Sequence, residues 1–210
     1  MEQQLEKTAA ECRQIAAQWV DELTQEDQRY MVQAFHRAES LAHHALTYAI
    51  EQLPQNFQSE LLEQLADETR HVDVFANWHN DEPQVIRMPK NKKRGAHVWF
   101  ALLLINEITG FCQFQMLYGL QKNPQKADDV AEIIADEIRH IQRLVRWLKP
   151  FEETPSKTEI QRIIAAFRSK LVQRMTQFLP REELSGLRTQ MSAAIDTLLG
   201  QLTVAFEPTT

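Results

Sequence analysis

Two short segments of the chain repeat the same pattern of acidic and basic residues. Asp67–His71 reads Asp-Glu-Thr-Arg-His, and Asp136–His140 reads Asp-Glu-Ile-Arg-His. In each segment the Glu and the His are three positions apart, which puts them on one face of a helix, about one turn from each other. A carboxylate and an imidazole placed in this way can bind one metal ion. A single Glu-x-x-His pair arises often by chance, but two copies in the same frame favour a metal site over solvated surface charges.

Two further glutamates, Glu39 and Glu107, lie among apolar residues of other helical segments. Burying a carboxylate without a partner is costly, so each should meet a cation, either a metal ion or a buried Arg. The separation of Glu39 from Glu68 nearly equals that of Glu107 from Glu137, so two helix hairpins would place these groups at corresponding heights. The predicted ligands, which also form the predicted catalytic centre, are Glu39, Glu68, His71, Glu107, Glu137 and His140.

The charge of this set favours two metal ions. Four carboxylates and two neutral imidazoles carry −4, which two divalent cations would balance. Mixed oxygen and nitrogen ligands suit iron or manganese better than calcium or magnesium. We therefore expect two iron ions, with manganese or a mixed manganese–iron pair as the alternative.

The elements that must position these residues are predicted to be helices. Good helix formers dominate, no stretch alternates with the period of a strand, and prolines and glycines mark the breaks. The predicted helices cover residues 2–22, 25–53 with Thr24 as the cap, 55–79, 96–121, 124–149, 156–178 and 181–204, and 81–95 form a long connection.

This order predicts an all-α fold. Four long helices with one long crossover are typical of a ferritin-like four-helix bundle. The predicted bundle covers residues 24–150, preceded by an N-terminal helix within 1–23. Two C-terminal helices within 151–210 would pack on it.

The six predicted ligands resemble those of the ferritin-like di-iron carboxylate proteins. The repeated Asp-Glu-x-Arg-His pattern is similar to that of soluble di-iron oxygenases, such as the bacterial multicomponent monooxygenase hydroxylases and the acyl carrier protein desaturases. The resemblance covers about residues 25–150. It implies an enzyme in which two iron ions activate O2 to hydroxylate, desaturate or N-oxygenate an organic substrate, with electrons from a donor protein.

The resemblance also implies roles for the remaining residues of the repeat. Asp67 and Asp136 would accept hydrogen bonds from the ligand imidazoles, and Arg70 and Arg139 would hold these aspartates. The sequence leaves open whether each Asp serves its own helix or the opposite one. The alternative for these two aspartates and two arginines is that they are charged residues on solvent-exposed faces of their helices.

Further residues near Glu107 and Glu39 bear on the site. Oxygenases of this type often carry a Thr one turn after the third-helix Glu, whereas this chain has Gly110 and Phe111 there. Thr109 would face the site only if a bulge at Gly110 rotated it inward. His36 and His43 share a helix face with Glu39. This position favours a role for them as hydrogen-bond donors behind the ligands, and direct ligation of the metal is the alternative.

Two other function classes compete with an oxygenase. An iron-handling protein, either a ferroxidase of the ferritin or bacterioferritin type or a rubrerythrin-like peroxidase, would use similar ligands. The additional helices and the absence of a C-x-x-C motif weigh against it. A helical partner protein without catalysis would be expected to lose ligands, and all six are present.

Composition limits the partners. The net charge of −6 over 210 residues disfavours nucleic-acid binding. Cys12 and Cys112 match no zinc spacing, and two cysteines in 210 residues do not form a disulfide scaffold, which favours a reducing, cytoplasmic location. The apolar run Val98–Ile105 is too short to span a bilayer, so no membrane span is expected.

Three expectations concern surfaces. Lys90, Lys92, Lys93 and Arg94 form a basic run, read as a solvated loop, with docking of an acidic partner as the alternative. The apolar stripes of the last two predicted helices should pack on the bundle, with a homodimer or a cavity wall as alternatives. The apolar residues around Glu107 favour a partly apolar substrate.

Overall fold

A computed structural model describes residues 1–78 and 92–206, and it is helical with no strand in this part of the chain. The all-α prediction is confirmed. Most of the predicted connection 81–95 lies outside the described residues, and 92–95 have no regular structure. The helices are α1 (Glu2–Trp19), α2 (Gln25–Ile50), α3 (Gln58–Trp78), α4 (Ala96–Leu120), α5 (Pro124–Leu148), α6 (Ser156–Arg168), α7 (Leu171–Phe178) and α8 (Ser185–Leu202).

Local signals in the sequence set where α2 and α5 begin. The Thr24 hydroxyl accepts from the Asp27 backbone N–H, and the Asp27 carboxylate accepts from the Thr24 backbone N–H. This reciprocal capping box satisfies N–H groups that have no partner within the helix. The Asn123 side chain caps α5 in a similar way, with Pro124 at its first position. These starts fix the register of two helices that carry site residues.

The predicted helix over 156–178 is wrong, because the structure has two helices there. The backbone of Lys170 leaves the helical region, with φ −115° and ψ 5°, and separates α6 from α7. The break changes the direction of the helix axis, and Met175 and Phe178 of α7 are buried in the core, as is Ile164 of α6. Three C-terminal helices therefore replace the predicted two, and the last of them begins at Ser185 rather than at 181.

Helix α4 lies at the centre of the fold. It packs against α5, α1, α6 and α8, and it is apolar around most of its circumference. By length and composition it is apolar enough to cross a membrane, but 72% of its most apolar window is buried inside the protein. Core helices of soluble proteins show the same pattern, and this helix continues well past the C-terminal end of the apolar run Val98–Ile105.

The other helices surround α4 in pairs. Helices α2 and α3 form one hairpin with an extensive interface between them, and α4 and α5 form another. The two hairpins contact each other where α3 packs on α5 and α2 packs on α4. Helix α1 crosses α4 closely at Gly119, where an added Cβ would lie 2.9 Å from Ala16 Cβ. Helices α6, α7 and α8 pack on these elements and share one continuous apolar core with them. The predicted packing of the C-terminal stripes is thus observed.

Candidate metal centre

The four helices α2, α3, α4 and α5 bring all six predicted ligand side chains together in the core. None of the six is more than 5% exposed. Ligand atoms of Glu68, Glu107, Glu137 and His140 lie within 4.8 Å of one another, and those of Glu39, His71 and Glu137 do the same. Two overlapping groups of donors therefore meet at Glu137.

The arrangement is nearly symmetric about the two central glutamates. His71 Nδ1 lies 3.3 Å from Glu39 Oε2, and His140 Nδ1 lies 3.1 Å from Glu107 Oε2. Between these pairs, Glu68 Oε2 is 3.9 Å from His71 Nδ1 and Glu68 Oε1 is 3.7 Å from His140 Nδ1. Glu137 Oε1 is also 3.9 Å from His71 Nδ1. Each half thus has a terminal Glu–His pair, and Glu68 and Glu137 are shared.

The outer nitrogen of each imidazole contacts an aspartate from the other hairpin. His71 Nε2 is 3.1 Å from Asp136 Oδ2, and His140 Nε2 is 3.1 Å from Asp67 Oδ2. Each Asp therefore contacts the histidine of the other repeat and not the histidine of its own helix, a choice that the sequence left open. An Nε2–H that donates to carboxylate leaves the Nδ1 lone pair facing the glutamates, which is the tautomer that a metal ion requires.

Arg70 and Arg139 join the two aspartates into a ring. Arg139 lies 3.0 Å from Asp67 and 2.6 Å from Asp136. Arg70 lies 3.3 Å from Asp67 and also pairs with Asp136. The two Arg side chains are 41% and 53% exposed, so water screens their charges. Their main effect is to fix the positions of the carboxylates rather than to add stability.

The site concentrates negative charge. Burial, followed by repulsion from Glu107, raises the pKa of both Glu68 and Glu137 well above the ordinary range. Burial opposes protonation of His71, but hydrogen bonds with Asp136 and Glu39 outweigh it and raise the His71 pKa to about 9. The pKa of His140 is raised against burial in the same way, by Asp67 and Glu107. The cluster therefore holds protons tightly, as expected of a site built to hold positive charge.

A buried oxygen without a partner supports the assignment to metal. Glu137 Oε2 is buried and has no hydrogen-bond partner among the described residues. Buried carboxylate oxygens in native proteins are nearly always satisfied, and a metal ion held among the surrounding donors would satisfy this one. Six carboxylate and imidazole ligands, oriented by carboxylates behind the imidazoles, fit a pair of first-row transition-metal ions.

One residue of the site was missed by sequence reasoning. Gln64 is fully buried on α3, and its Nε2 donates to Glu107 Oε1 at 3.0 Å. It holds the Glu107 carboxylate through the oxygen that His140 does not contact. The available signal was its position four residues before Glu68, on the same helix face.

Thr109, His36 and His43 do not take the positions at the metal centre that the sequence allowed for them. Helix α4 has no bulge at Gly110, and the Thr109 hydroxyl donates to the Ile105 carbonyl of its own helix at 2.7 Å. The inward-rotated Thr109 is therefore not observed. His36 and His43 are half-buried, and neither belongs to the two metal-binding groups found among the described residues. Metal ligation by either histidine is not supported.

Cys112 points away from the metal centre, as its spacing from Glu107 predicts. It is fully buried and interacts with Cys12 of α1, which is also fully buried. Neither cysteine takes part in the candidate site.

Comparisons with known proteins give no further assignment. No family model, no curated protein and no solved structure matches this chain.

Proposed function

We propose that this protein is a di-iron oxidoreductase that activates O2 and oxidises an organic substrate. The observation that supports this most directly is the set of six buried ligands, four carboxylates and two imidazoles, in which Glu137 belongs to both donor groups and Glu68 lies between the two histidines. Manganese, or a mixed pair of ions, suits the same donors.

The ligand set favours redox ions over purely structural ones. Bound iron would supply the electrons and the Lewis acidity needed to activate O2, and replacement electrons would come from a donor protein. Structural zinc sites are usually closed and tetrahedral, often with thiolates, whereas this centre offers carboxylates around two positions.

The side chains of the chain itself have distinct roles in the proposal. Glu39 with His71 and Glu107 with His140 would supply the ligands of the two outer halves, and Glu68 and Glu137 would supply the carboxylates between them. By accepting from Nε2–H, Asp67 and Asp136 would turn Nδ1 of each imidazole toward the ions, so that Nδ1 becomes a ligand once its proton is released. Apolar side chains around the ligands exclude bulk water, which strengthens these electrostatic contacts.

A ferritin-like bundle is part of the same proposal. The two helix hairpins, their contacts through α3–α5 and α2–α4, and the long connection between α3 and α4 support it. The site also has the expected ligand pattern for that bundle, with one Glu from each of α2 and α4 and a Glu-x-x-His pair from each of α3 and α5.

Iron oxidation for storage or peroxide removal is the competing function. A cleft of about 570 Å³ that reaches Glu39 and Gly110 favours an organic substrate, because its volume is in the range of small-molecule sites. An iron-handling centre needs only a passage for ions and small oxidants.

Anaerobic titration with Fe(II), followed by addition of O2, tests the proposal. We expect two iron ions per chain and, after O2, the absorption of an oxidised di-iron site. Glu68→Ala and His140→Ala should each lose stoichiometric binding, while Glu63→Ala, an exposed residue of the same helix as Glu68, should bind like wild type. Full binding of two ions by either ligand variant would contradict the proposal. Continued oxidation of many added Fe(II) ions per chain would favour iron handling.

A further inference from the structure

A cleft lies beside the metal centre, between α2 and α4 and under α6 and α7. Its volume is about 570 Å³. Much of its wall is apolar, including Leu102, Ile105, Ile163, Phe167 and Phe178. A cleft of this size and lining can take a small organic molecule rather than an ion alone.

The inner end of the cleft reaches the metal ligands. Glu39, which is 5% exposed and lies 3.3 Å from His71, is part of the wall. Gly110 is also part of the wall, and a Cβ added there would lie 3.5 Å from Glu137 Oε2. The absent side chain at Gly110 therefore leaves the cleft open toward one of the shared glutamates.

The outer part of the cleft carries positive charge. Arg37, Lys170 and Arg174 line it, and Lys170 and Arg174 are exposed. Among the described residues, none of the three has a carboxylate within ion-pair distance, and Arg174 instead lies over the Phe167 ring at 5.0 Å. Glu39 is the only acidic residue of the described lining, and it faces the metal centre. Within the described part of the chain, these three cations thus lack an anionic partner, although the net charge of the protein is −6.

We propose that this cleft binds an organic carboxylate with an apolar body, its anionic group at Arg37, Lys170 and Arg174 and its apolar end beside Glu39 and Gly110. The proposal rests on the proposed function for the identity of the reaction, but binding itself does not require metal. Arg side chains suit a carboxylate because two of their N–H groups can donate to its two oxygens. The site would thereby place the apolar end of the substrate, rather than its charged end, next to the ions.

Calorimetric titration of the chelator-treated protein with octanoate, 1-octanol and octylammonium tests the charge preference. We expect saturable binding of one octanoate per chain, at least about tenfold weaker binding of octanol, and none of octylammonium. The double variant Arg37→Gln/Arg174→Gln should lose about tenfold or more in octanoate affinity. Arg162→Gln, an exposed cation on α6 outside this cleft, should bind octanoate like wild type. Equal binding of octanoate and octanol, or unchanged affinity in the double variant, would overturn the proposal.

The orientation needs a second measurement. In protein loaded with paramagnetic Co(II), the methyl protons of bound octanoate should relax faster than the methylene protons next to the carboxylate, because the methyl end lies nearer the ions. The reverse order would overturn the proposed orientation. Failure of Co(II) to bind would count against the metal centre and leave the result of the calorimetric titration intact, so the two proposals fail separately.

Discussion

His71 and Asp136 lie on different helix hairpins, and their side chains meet at 3.1 Å behind the candidate metal centre. His140 and Asp67 repeat this contact in the opposite direction at the same distance. Each copy of the repeated Asp-Glu-x-Arg-His pattern thus has two uses: its Glu and His face the metal, and its Asp orients the histidine of the other copy.

Replacing Asp136 by Asn tests this crossed arrangement. Asn can donate to Nε2 and so favour the tautomer with the proton on Nδ1, which opposes metal binding. We expect Asp136→Asn to weaken metal affinity about 10- to 100-fold, as losses behind a ligand histidine typically do. Competition against a chromophoric chelator measures the affinity. Asp128→Asn, a change at a residue of the same helix far from the ligands, should leave it unaltered, and equal affinities for the two variants would refute the role of Asp136.

Metal binding should release protons. The pKa of His71 is raised to about 9, and those of Glu68 and Glu137 are raised well above their usual range, so the chelator-treated protein holds protons on these groups near neutral pH. A metal ion binds the deprotonated forms. Affinity should therefore rise with pH up to about 9 and fall as the pH is lowered. Calorimetry in buffers with different ionisation enthalpies measures the protons released, and a count of zero at pH 7 would contradict the assignment.

Gln64 should be needed for full occupancy of the half containing Glu107. Gln64→Leu keeps a similar volume but removes the donor to Glu107 Oε1. We expect the second ion to bind about tenfold more weakly, because a hydrogen bond to a charged group contributes roughly 1.5–3 kcal/mol. Step-wise Fe(II) titration measures this. Gln58→Leu, at the first residue of the same helix, provides the control, and two unchanged binding steps in Gln64→Leu would show that Gln64 does not position Glu107.

The close crossing of α1 and α4 should tolerate no side chain at Gly119. An added Cβ would lie 2.9 Å from Ala16 Cβ and 3.4 Å from the Arg13 Cα, so Gly119→Val must move one helix. We expect a loss of about 1–3 kcal/mol in the free energy of unfolding, typical of overpacked interiors. Chemical denaturation measures the loss. Ala10→Val, at an exposed position of α1, should cost much less.

The two cysteines should be unreactive in the folded protein. Burial, together with the neighbouring Cys12, raises the pKa of Cys112 well above its usual value, and both thiols are fully buried. Since the thiolate is the reactive form, labelling with a disulfide reagent at pH 8 should be slow and become complete only in denaturant. Rapid labelling of both thiols under native conditions would show that α1 opens from α4.

The sequence predicted the helices that carry the site better than those that cover it. Thr24, Asn123 and Pro124 are local signals, and α2 and α5 begin where these residues predict. The break at Lys170 has no Pro or Gly to mark it, because it comes from the packing of Met175 and Phe178 against distant helices. The six ligands could be predicted because the Glu-x-x-His spacing puts two side chains on one helix face and because Glu39 and Glu107 stand among apolar residues. The partner of each Asp and the role of Gln64 depend on how the hairpins meet, which no local pattern encodes.

The crossed contacts also make the centre a reporter of assembly. A fragment holding only α2 and α3 would possess Glu39, Glu68 and His71, yet it would lack both Glu137 and the acceptor for His71 Nε2. High-affinity metal uptake should consequently begin only once the two halves of the protein have docked. Two separately expressed halves that regain it on mixing would turn this dependence into a complementation assay.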